Sequence, residues 1–346
     1  MRKIIKKVFF GILLILLAII IKKNILGILE YRRFYSTKSN STEINALLKL
    51  EVSKCSLTQK NTIDSNIFGI NILDFSNESV SLIKDLHVKW VRIPLNRRVI
   101  ERSKGTYDWS GYDIFISEMQ KSNVKVLAIL NDSPDWISNW NDEYDDYDKF
   151  AQEAVRRYAP YGVHYWEIFN EPNLPCCGWI NTNVKPEDFT GNYALMLARS
   201  NREIHQIDKE AVISMGGLST DGMAPQAFLE KMYSYGLKNC FDIFSYHPYG
   251  KAGQFKETAE EYRKIMSKYG DENKPIWFNE LGTTDEPQNI ILQKAFDERR
   301  EVQAVFWFSL VDLDKIKDLY GLVDYGSYTK KPVYDIFKKL ISEESP

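Results

Sequence analysis

Two glutamates end apolar, aromatic-rich runs: Glu171 in Trp166-Glu-Ile-Phe-Asn-Glu-Pro-Asn173 and Glu280 in Pro275-Ile-Trp-Phe-Asn-Glu-Leu-Gly282. Each run reads as a buried strand, and each glutamate is followed at once or one residue later by Pro or Gly, which turn the chain. A carboxylate at the end of a buried strand serves a function. Two of them, on strands far apart in sequence, suit a reaction that needs one acid and one nucleophile, and glycosidic bond cleavage is the leading case.

The elements that must carry these residues are periodic. Short apolar runs at 66–71, 89–94, 124–130, 164–170, 211–215, 241–246, 275–280 and 303–308 alternate with longer amphipathic stretches, such as 111–120 and 192–207, whose apolar residues fall at helical spacing. Eight such units predict the α/β class and a single (β/α)8 TIM barrel over residues 63–346. A doubly wound open sheet is the alternative, but the chain has no G-x-G-x-x-G or G-x-x-x-x-G-K-[ST] turn. In a barrel, function gathers at the carboxyl ends of the strands. The polar residues do fall there: Arg92 in the second strand, Asn131 and Asp132 after the third, Asn170 and Glu171 closing the fourth. His247 and Tyr249 follow the sixth, Glu280 closes the seventh, and Trp307 stands near the end of the eighth.

With these residues in that order, residues 63–340 resemble the clan A glycoside hydrolases, retaining (β/α)8 enzymes. Asn170-Glu171-Pro172 is similar to the clan's Asn-Glu-Pro motif. The runs 166–173, Gly105-Thr-Tyr-Asp-Trp-Ser110 and Ser245-Tyr-His-Pro-Tyr249 look most like family 39 and related cellulase-like polysaccharide hydrolases. The resemblance implies that Glu171, after strand four, is the acid/base and that Glu280, after strand seven, is the nucleophile. It also implies that Arg92 keeps Glu280 charged, that Asn170 bonds the sugar 2-hydroxyl, that Trp307 is a flat floor for the sugar, and that His247 and Tyr249 touch nucleophile or substrate. Against these stand blander readings: a salt bridge at the barrel bottom for Arg92, a core tryptophan for Trp307, a structural histidine for His247.

The chemistry requires opposed protonation states, with Glu171 protonated at rest and Glu280 ionised. Adjacent residues on a regular strand face opposite ways, so Asn170 and Glu171 can share a site only if the strand bulges or breaks there. On the seventh strand Ile276, Phe278 and Glu280 share one face, and no distortion is expected. His164 and His205 read as structural and His87 as a surface residue. The loop after strand three carries Trp136 and Trp140, candidates for outer sugar subsites. It continues into an acid run, Asp142, Glu143, Asp145, Asp146 and Asp148. That run reads as a solvated face, with attraction of an amine-bearing glycan or Ca²⁺ as the sharper alternative.

The N-terminus has another purpose. Arg2, Lys3, Lys6 and Lys7 precede an uncharged run from Val8 to Ile21, followed by Lys22, Lys23, a second apolar patch and Arg32-Arg33. Residues 1–30 therefore read as a signal anchor or signal peptide, and the absence of a small-x-small cleavage site favours the anchor. A polar stalk over 31–62 would then hold an extracytoplasmic catalytic domain, or release it if the segment is cleaved. The 346 residues, 44 % hydrophobic, are ordinary globular material, and 45 basic against 47 acidic residues give a net charge of −2. Such a balance offers nothing to nucleic acid. Cys55, Cys176, Cys177 and Cys240 fit no metal motif, so no metal or other cofactor is expected. A vicinal Cys176-Cys177 bridge and free thiols both remain open. The expected protein is a monomeric, membrane-associated hydrolase acting on a polysaccharide or oligosaccharide. A transglycosylase and a catalytically silent carbohydrate-binding barrel are its rivals.

Overall fold

The computed structural model describes residues 41–137, 139–174, 186–284, 287–315 and 319–344. The chain divides into two units, Met1–Ile44 and Asn45–Pro346. The anchor expected over residues 1–30 and the Cys176-Cys177 pair lie outside the described residues. Among the described residues no helix is long and apolar enough to cross a membrane.

Helix α1 (Ser41–Val52) is followed by eight strands at the places the apolar runs foretell: β1 (Ile67–Asn71), β2 (Trp90–Asn96), β3 (Lys125–Asn131), β4 (Tyr165–Ile168), β5 (Val212–Met215), β6 (Phe244–Ser245), β7 (Ile276–Leu281) and β8 (Ala304–Trp307). Between them run α2 (Asn77–Leu86), the short α3 (Arg97–Ile100), α4 (Ser110–Lys121), α5 (Trp140–Tyr158), α6 (Pro186–Ile207), α7 (Pro225–Ser234), α8 (Phe255–Ser267) and α9 (Gln288–Glu298), with α10 (Pro332–Glu344) closing the chain. The sheet order is β5-β4-β3-β2-β1-β8-β7-β6, with every pairing parallel. Between β5 and β6 the gap is spanned by isolated bridges, Ser214 to Ile243 and Leu218 to Tyr246. The result is a nearly closed eight-stranded barrel with helices around it, the (β/α)8 arrangement.

Inside the barrel the residues are layered by the strand period of two. Ile67, Trp90, Leu127, Tyr165, Val212, Ile243, Trp277, Ala304 and Phe306 form one apolar cluster at the amino end. Gly69 makes room for it, because a Cβ there would lie 2.5 Å from the Phe306 ring. Two residues further along, Arg92, Glu167, Ser214, Ser245 and Asn279 form a buried polar layer. The apolar floor excludes water from below, so that layer must satisfy itself.

Part of the expected stalk belongs to the domain. From Asn45 onward the chain packs against the barrel: Leu48 is buried, Glu51 pairs with Arg202, and Cys55 is disulfide-bonded to Cys240. Polar residues within 45–62 are tied to the barrel. Ser56 N donates to Asn201 Oδ1 at 2.9 Å and Thr58 N to Asp242 Oδ1 at 2.9 Å. Ile63 packs against the apolar cluster, and Asp64 pairs with Lys125 at 2.7 Å. The segment caps the barrel floor, and free thiols at Cys55 and Cys240 are ruled out.

The bridge closes a sequence separation of 185 residues, so it removes much freedom from the unfolded chain. Cys55→Ser should lower stability by about 2–4 kcal/mol. It should appear as a lower denaturant midpoint than wild type under oxidising conditions and an equal one after reduction; equal midpoints under both conditions would contradict this role.

Candidate active site

Arg92 stands beneath the mouth, 2 % exposed. Its Nε and Nη2 donate to the two oxygens of Glu167 at 2.7 and 2.9 Å. Nη1 donates to Asn71 Oδ1 and Glu280 Oε2, both at 2.8 Å, and Nη2 also to Asn170 Oδ1 at 2.6 Å. These bonds match the five N–H groups that a guanidinium carries. Burial works against its charge, but Glu167 and Glu280 outweigh burial and hold the guanidinium above its ordinary pKa. The bridge lies in mid-barrel beneath the mouth, rather than at the bottom.

Glu280 reaches the mouth by a route the alternation does not foretell. Trp277 belongs to the interior cluster, so on a regular strand Glu280 would point outward. Instead the register shifts between Phe278 and Leu281. This bulge turns Glu280 inward, correcting the expectation that Ile276, Phe278 and Glu280 share the inner face. Both Glu280 oxygens are held, Oε2 by Arg92 and Oε1 by Tyr249 Oη at 2.7 Å. Burial and the Glu280 charge push the Tyr249 phenol well above its ordinary pKa, which keeps it a neutral donor.

At β4 the expected break is present. The strand ends at Ile168, and Phe169 and Glu171 have φ of 65° and 47°, a left-handed backbone that non-glycine residues seldom adopt. The break lets Asn170 and Glu171 both serve the mouth. Arg92 can only donate, so Asn170 must present its oxygen to the guanidinium, which leaves its amide nitrogen as a donor on the other side. Asn170 N donates to Asn131 Oδ1 at 3.2 Å. Asn173 completes the turn, donating through Nδ2 to the carbonyls of Ser219, Asp221 and Met223.

His247 links the two carboxylates. It is fully buried, with Nδ1 3.0 Å from Glu171 Oε1 and Nε2 4.0 Å from Glu280 Oε2. Gly217 allows this, because a Cβ there would lie 2.2 Å from His247 Nε2. Glu171 is not poised as expected. Burial would raise its pKa, but the His247 hydrogen bond and charge, with Ser219 and Arg92, override burial and lower it below the ordinary value of 4.5. In the free protein Glu171 is therefore held as a carboxylate near neutral pH. Ligand atoms of Glu171, His247 and Glu280 all lie within 4.8 Å of one another. Both Glu280 oxygens are already bonded, to Arg92 and Tyr249, and His247 Nδ1 is turned to Glu171.

Trp307 is displaced from its expected role. Ala304 and Phe306 face the barrel interior, so Trp307 faces outward, and it is 0 % exposed. Phe308, the next residue, turns back to the mouth, half-buried, against Tyr320 at 5.5 Å between ring centroids. Tyr320 in turn meets Tyr249 at 6.0 Å. Trp140 is likewise buried, opening α5 and packing against Tyr144. Trp136 stays half-buried, pinned by Nε1 to Glu101 O at 2.9 Å with the Arg97 guanidinium over its ring. The acid run is not a solvated face, although Asp142 is exposed. Glu143 pairs with buried Arg97, Asp146 with Lys104 and Lys149, and Asp145 and Asp148 with Arg199. Helical spacing turns those carboxylates toward neighbouring cations.

The sequence reading missed Glu167, Asn71 and Phe308. A signal existed for the first: Glu167 sits two residues after interior Tyr165 in a run otherwise apolar, where a buried charge demands a partner.

The barrel and its paired carboxylates define a glycoside hydrolase domain of the cellulase-like clan A type. Residues 55–319 match the profile of the cellulase family, glycosyl hydrolase family 5, and the chain belongs to that family. A comparison with curated proteins gives no match. Among solved structures it is similar to a family 39 glycoside hydrolase from Bacteroides cellulosilyticus WH2, at 17 % identity and TM-score 0.62, over 84 % of this chain and 64 % of that one. A family 39 β-xylosidase from Caulobacter crescentus shares 18 % identity at TM-score 0.59, over 83 % of this chain and 74 % of that one. An endo-β-1,4-mannanase from Thermotoga petrophila shares 14 % at TM-score 0.56, over 82 % and 77 %. At these identities the likeness is one of fold. The chain spans less than two thirds of the first of these structures, 64 % of its length.

His247→Gln tests the electrostatics of Glu171 directly. Much of the hydrogen bond is lost while burial remains, so the carboxyl carbon of Glu171 should titrate below 4.5 in wild type and higher in the variant by ¹³C NMR. An unchanged midpoint would show that His247 does not hold the carboxylate.

Proposed function

We propose that the protein is a retaining glycoside hydrolase that cleaves β-linked polysaccharide or oligosaccharide by double displacement, with Glu171 as acid/base and Glu280 as nucleophile. The observation that carries this reading is the approach of the two carboxylates, one oxygen of Glu171 lying within 4.8 Å of one oxygen of Glu280. Retaining enzymes hold the two groups about 5–5.5 Å apart, whereas inverting ones need about 6.5–9.5 Å to admit a water.

In the first step a Glu280 oxygen bonds to the anomeric carbon, the glycosidic C–O bond breaks, and its electron pair leaves with the oxygen, which takes a proton from Glu171. In the second step water gives a proton to the Glu171 carboxylate, its oxygen bonds to the anomeric carbon, and Glu280 departs as carboxylate. Two inversions restore the starting configuration. Asn170, its oxygen fixed by Arg92, offers its amide to the sugar 2-hydroxyl. Phe308 takes the flat-floor role first assigned to Trp307. Glu171 must be protonated for the first step, and its lowered pKa in the free protein places the working range on the acid side. A bound sugar that displaces water from the carboxyl raises its proton affinity.

The domain acts outside the cytoplasm, held by the segment at 1–30 or released from it. The Cys55–Cys240 disulfide supports this, since such bonds persist in oxidising compartments.

Glu280→Gln should abolish turnover of any β-glycan that the wild type cleaves. Glu171→Gln should slow substrates with sugar leaving groups about 10²–10⁴-fold, the usual contribution of general acid catalysis, while leaving the first step on a 2,4-dinitrophenyl glycoside nearly intact. ¹H NMR of a running reaction should show the β-anomer first. First appearance of the α-anomer would overturn double displacement.

A further inference from the structure

Asn279 belongs to the buried polar layer beneath the mouth, yet its side chain takes no part in the Arg92 network. It lies one residue before Glu280 on β7, fully buried, and its peptide oxygen accepts from Asn71 Nδ2 at 3.1 Å. Its carboxamide is unmatched: neither Oδ1 nor Nδ2 has a hydrogen-bond partner among the described residues, and the same holds for His247 Nε2. These atoms share one place. A Cβ on Gly217 would lie 2.2 Å from His247 Nε2 and 2.6 Å from Asn279 Oδ1, so the ring nitrogen and the carboxamide flank the same glycine. Gly217 is itself fixed, since its N–H donates to Glu167 Oε1 at 2.9 Å and its carbonyl accepts from Glu171 N at 3.1 Å. Buried donors and acceptors left unpaired are costly, so these neighbours must satisfy one another.

Which end of the carboxamide meets the ring follows from the other ring nitrogen. Glu171 is held as a carboxylate in the free protein and can only accept, so Nδ1, 3.0 Å from its Oε1, carries the ring proton. Nε2 of the neutral ring then holds a lone pair and needs a donor. Glu280 does not supply one, because its Oε2 lies 4.0 Å away and is already taken by Arg92. The Asn279 amide does, since a half-turn of the carboxamide exchanges its two ends without a change of volume. Resting on the acid/base assignment of Glu171, we propose that Asn279 is a positioning residue for that group: its Nδ2 donates to His247 Nε2 and locks the ring in the Nδ1–H form from which Glu171 accepts. One Glu171 oxygen is thereby kept as an acceptor, and the proton to be transferred is confined to the other.

Full-length protein labelled with ¹⁵N tests this without substrate. At a pH where the ring is neutral, His247 should show Nδ1 in the protonated range and Nε2 in the unprotonated range, with a coupling across the hydrogen bond joining Nε2 to Asn279 Nδ2. Asn279→Leu keeps the volume and removes the donor. In this variant the Nε2–H form should appear and the Glu171 carboxyl should titrate higher than in wild type by ¹³C NMR. The alkaline limb of kcat/KM against pH should move up with it, since that limb reports the acid of the free enzyme. A merely structural role would lower stability and move neither the ring proton nor the limb. Absence of the coupling in wild type, or a proton on Nε2, would overturn the proposal, as would an unchanged ring in N279L; should N279L not fold, the wild-type measurement decides alone. The coupling without turnover of any glycan would sink the hydrolase reading and leave the Asn279–His247 bond standing, whereas turnover without the coupling would do the reverse.

Discussion

A guanidinium removed from water must find fixed acceptors for every N–H, and Arg92 finds them on four residues of three strands and their ends. Glu167 on β4, Asn71 on β1, Asn170 beyond β4 and Glu280 on β7 all point at one buried cation. Leaving such a charge unpaired costs about 3–5 kcal/mol, so the surrounding backbone yields instead. The bulge in β7 and the left-handed residues after β4 are the places where it yields. Asn71 extends the constraint by donating to the carbonyls of Asn279 at 3.1 Å and Trp307 at 3.3 Å, which ties β7 and β8 to the same centre. The apolar cluster beneath keeps water from competing for these bonds.

The two glutamates are chemically similar and are made different by their neighbours. Glu280 is held by a permanent cation and a neutral phenol, neither of which changes charge in the working range. Glu171 is held chiefly by His247, through one hydrogen bond. The two carboxylates thus stand in different surroundings, the kind of asymmetry that the proposed acid and nucleophile require. His247 lies between them because Gly217 has no side chain, so a residue outside the chemistry sets its geometry.

The barrel was legible because each strand is a separate apolar run of the right length, and the period of those runs survives without knowledge of tertiary contacts. Glu171 and Asn170 were legible as well, including the break between them, since two adjacent side chains cannot face one site from a regular strand. Glu280 was placed correctly for an incomplete reason. Parity along β7 is reset by a bulge that brings Glu280 to the distant Arg92, and no local pattern carries that information. The same blindness to parity exchanged Trp307 for Phe308. The acid run looked solvated because its partners, Arg97, Lys104 and Arg199, come from other helices and loops. Cys55 gave no hint of Cys240, since pairing depends on where the incoming chain crosses the barrel floor.

The central claim is a covalent bond between sugar and Glu280. It is tested most directly by exposing the protein to a 2-deoxy-2-fluoro β-glycoside with a good leaving group, then weighing the intact chain and its peptides. The account predicts one added fluorosugar, borne by the peptide containing Glu280 and absent from Glu280→Gln. Attachment to another residue, or none while the protein still cleaves the parent glycoside, would contradict it.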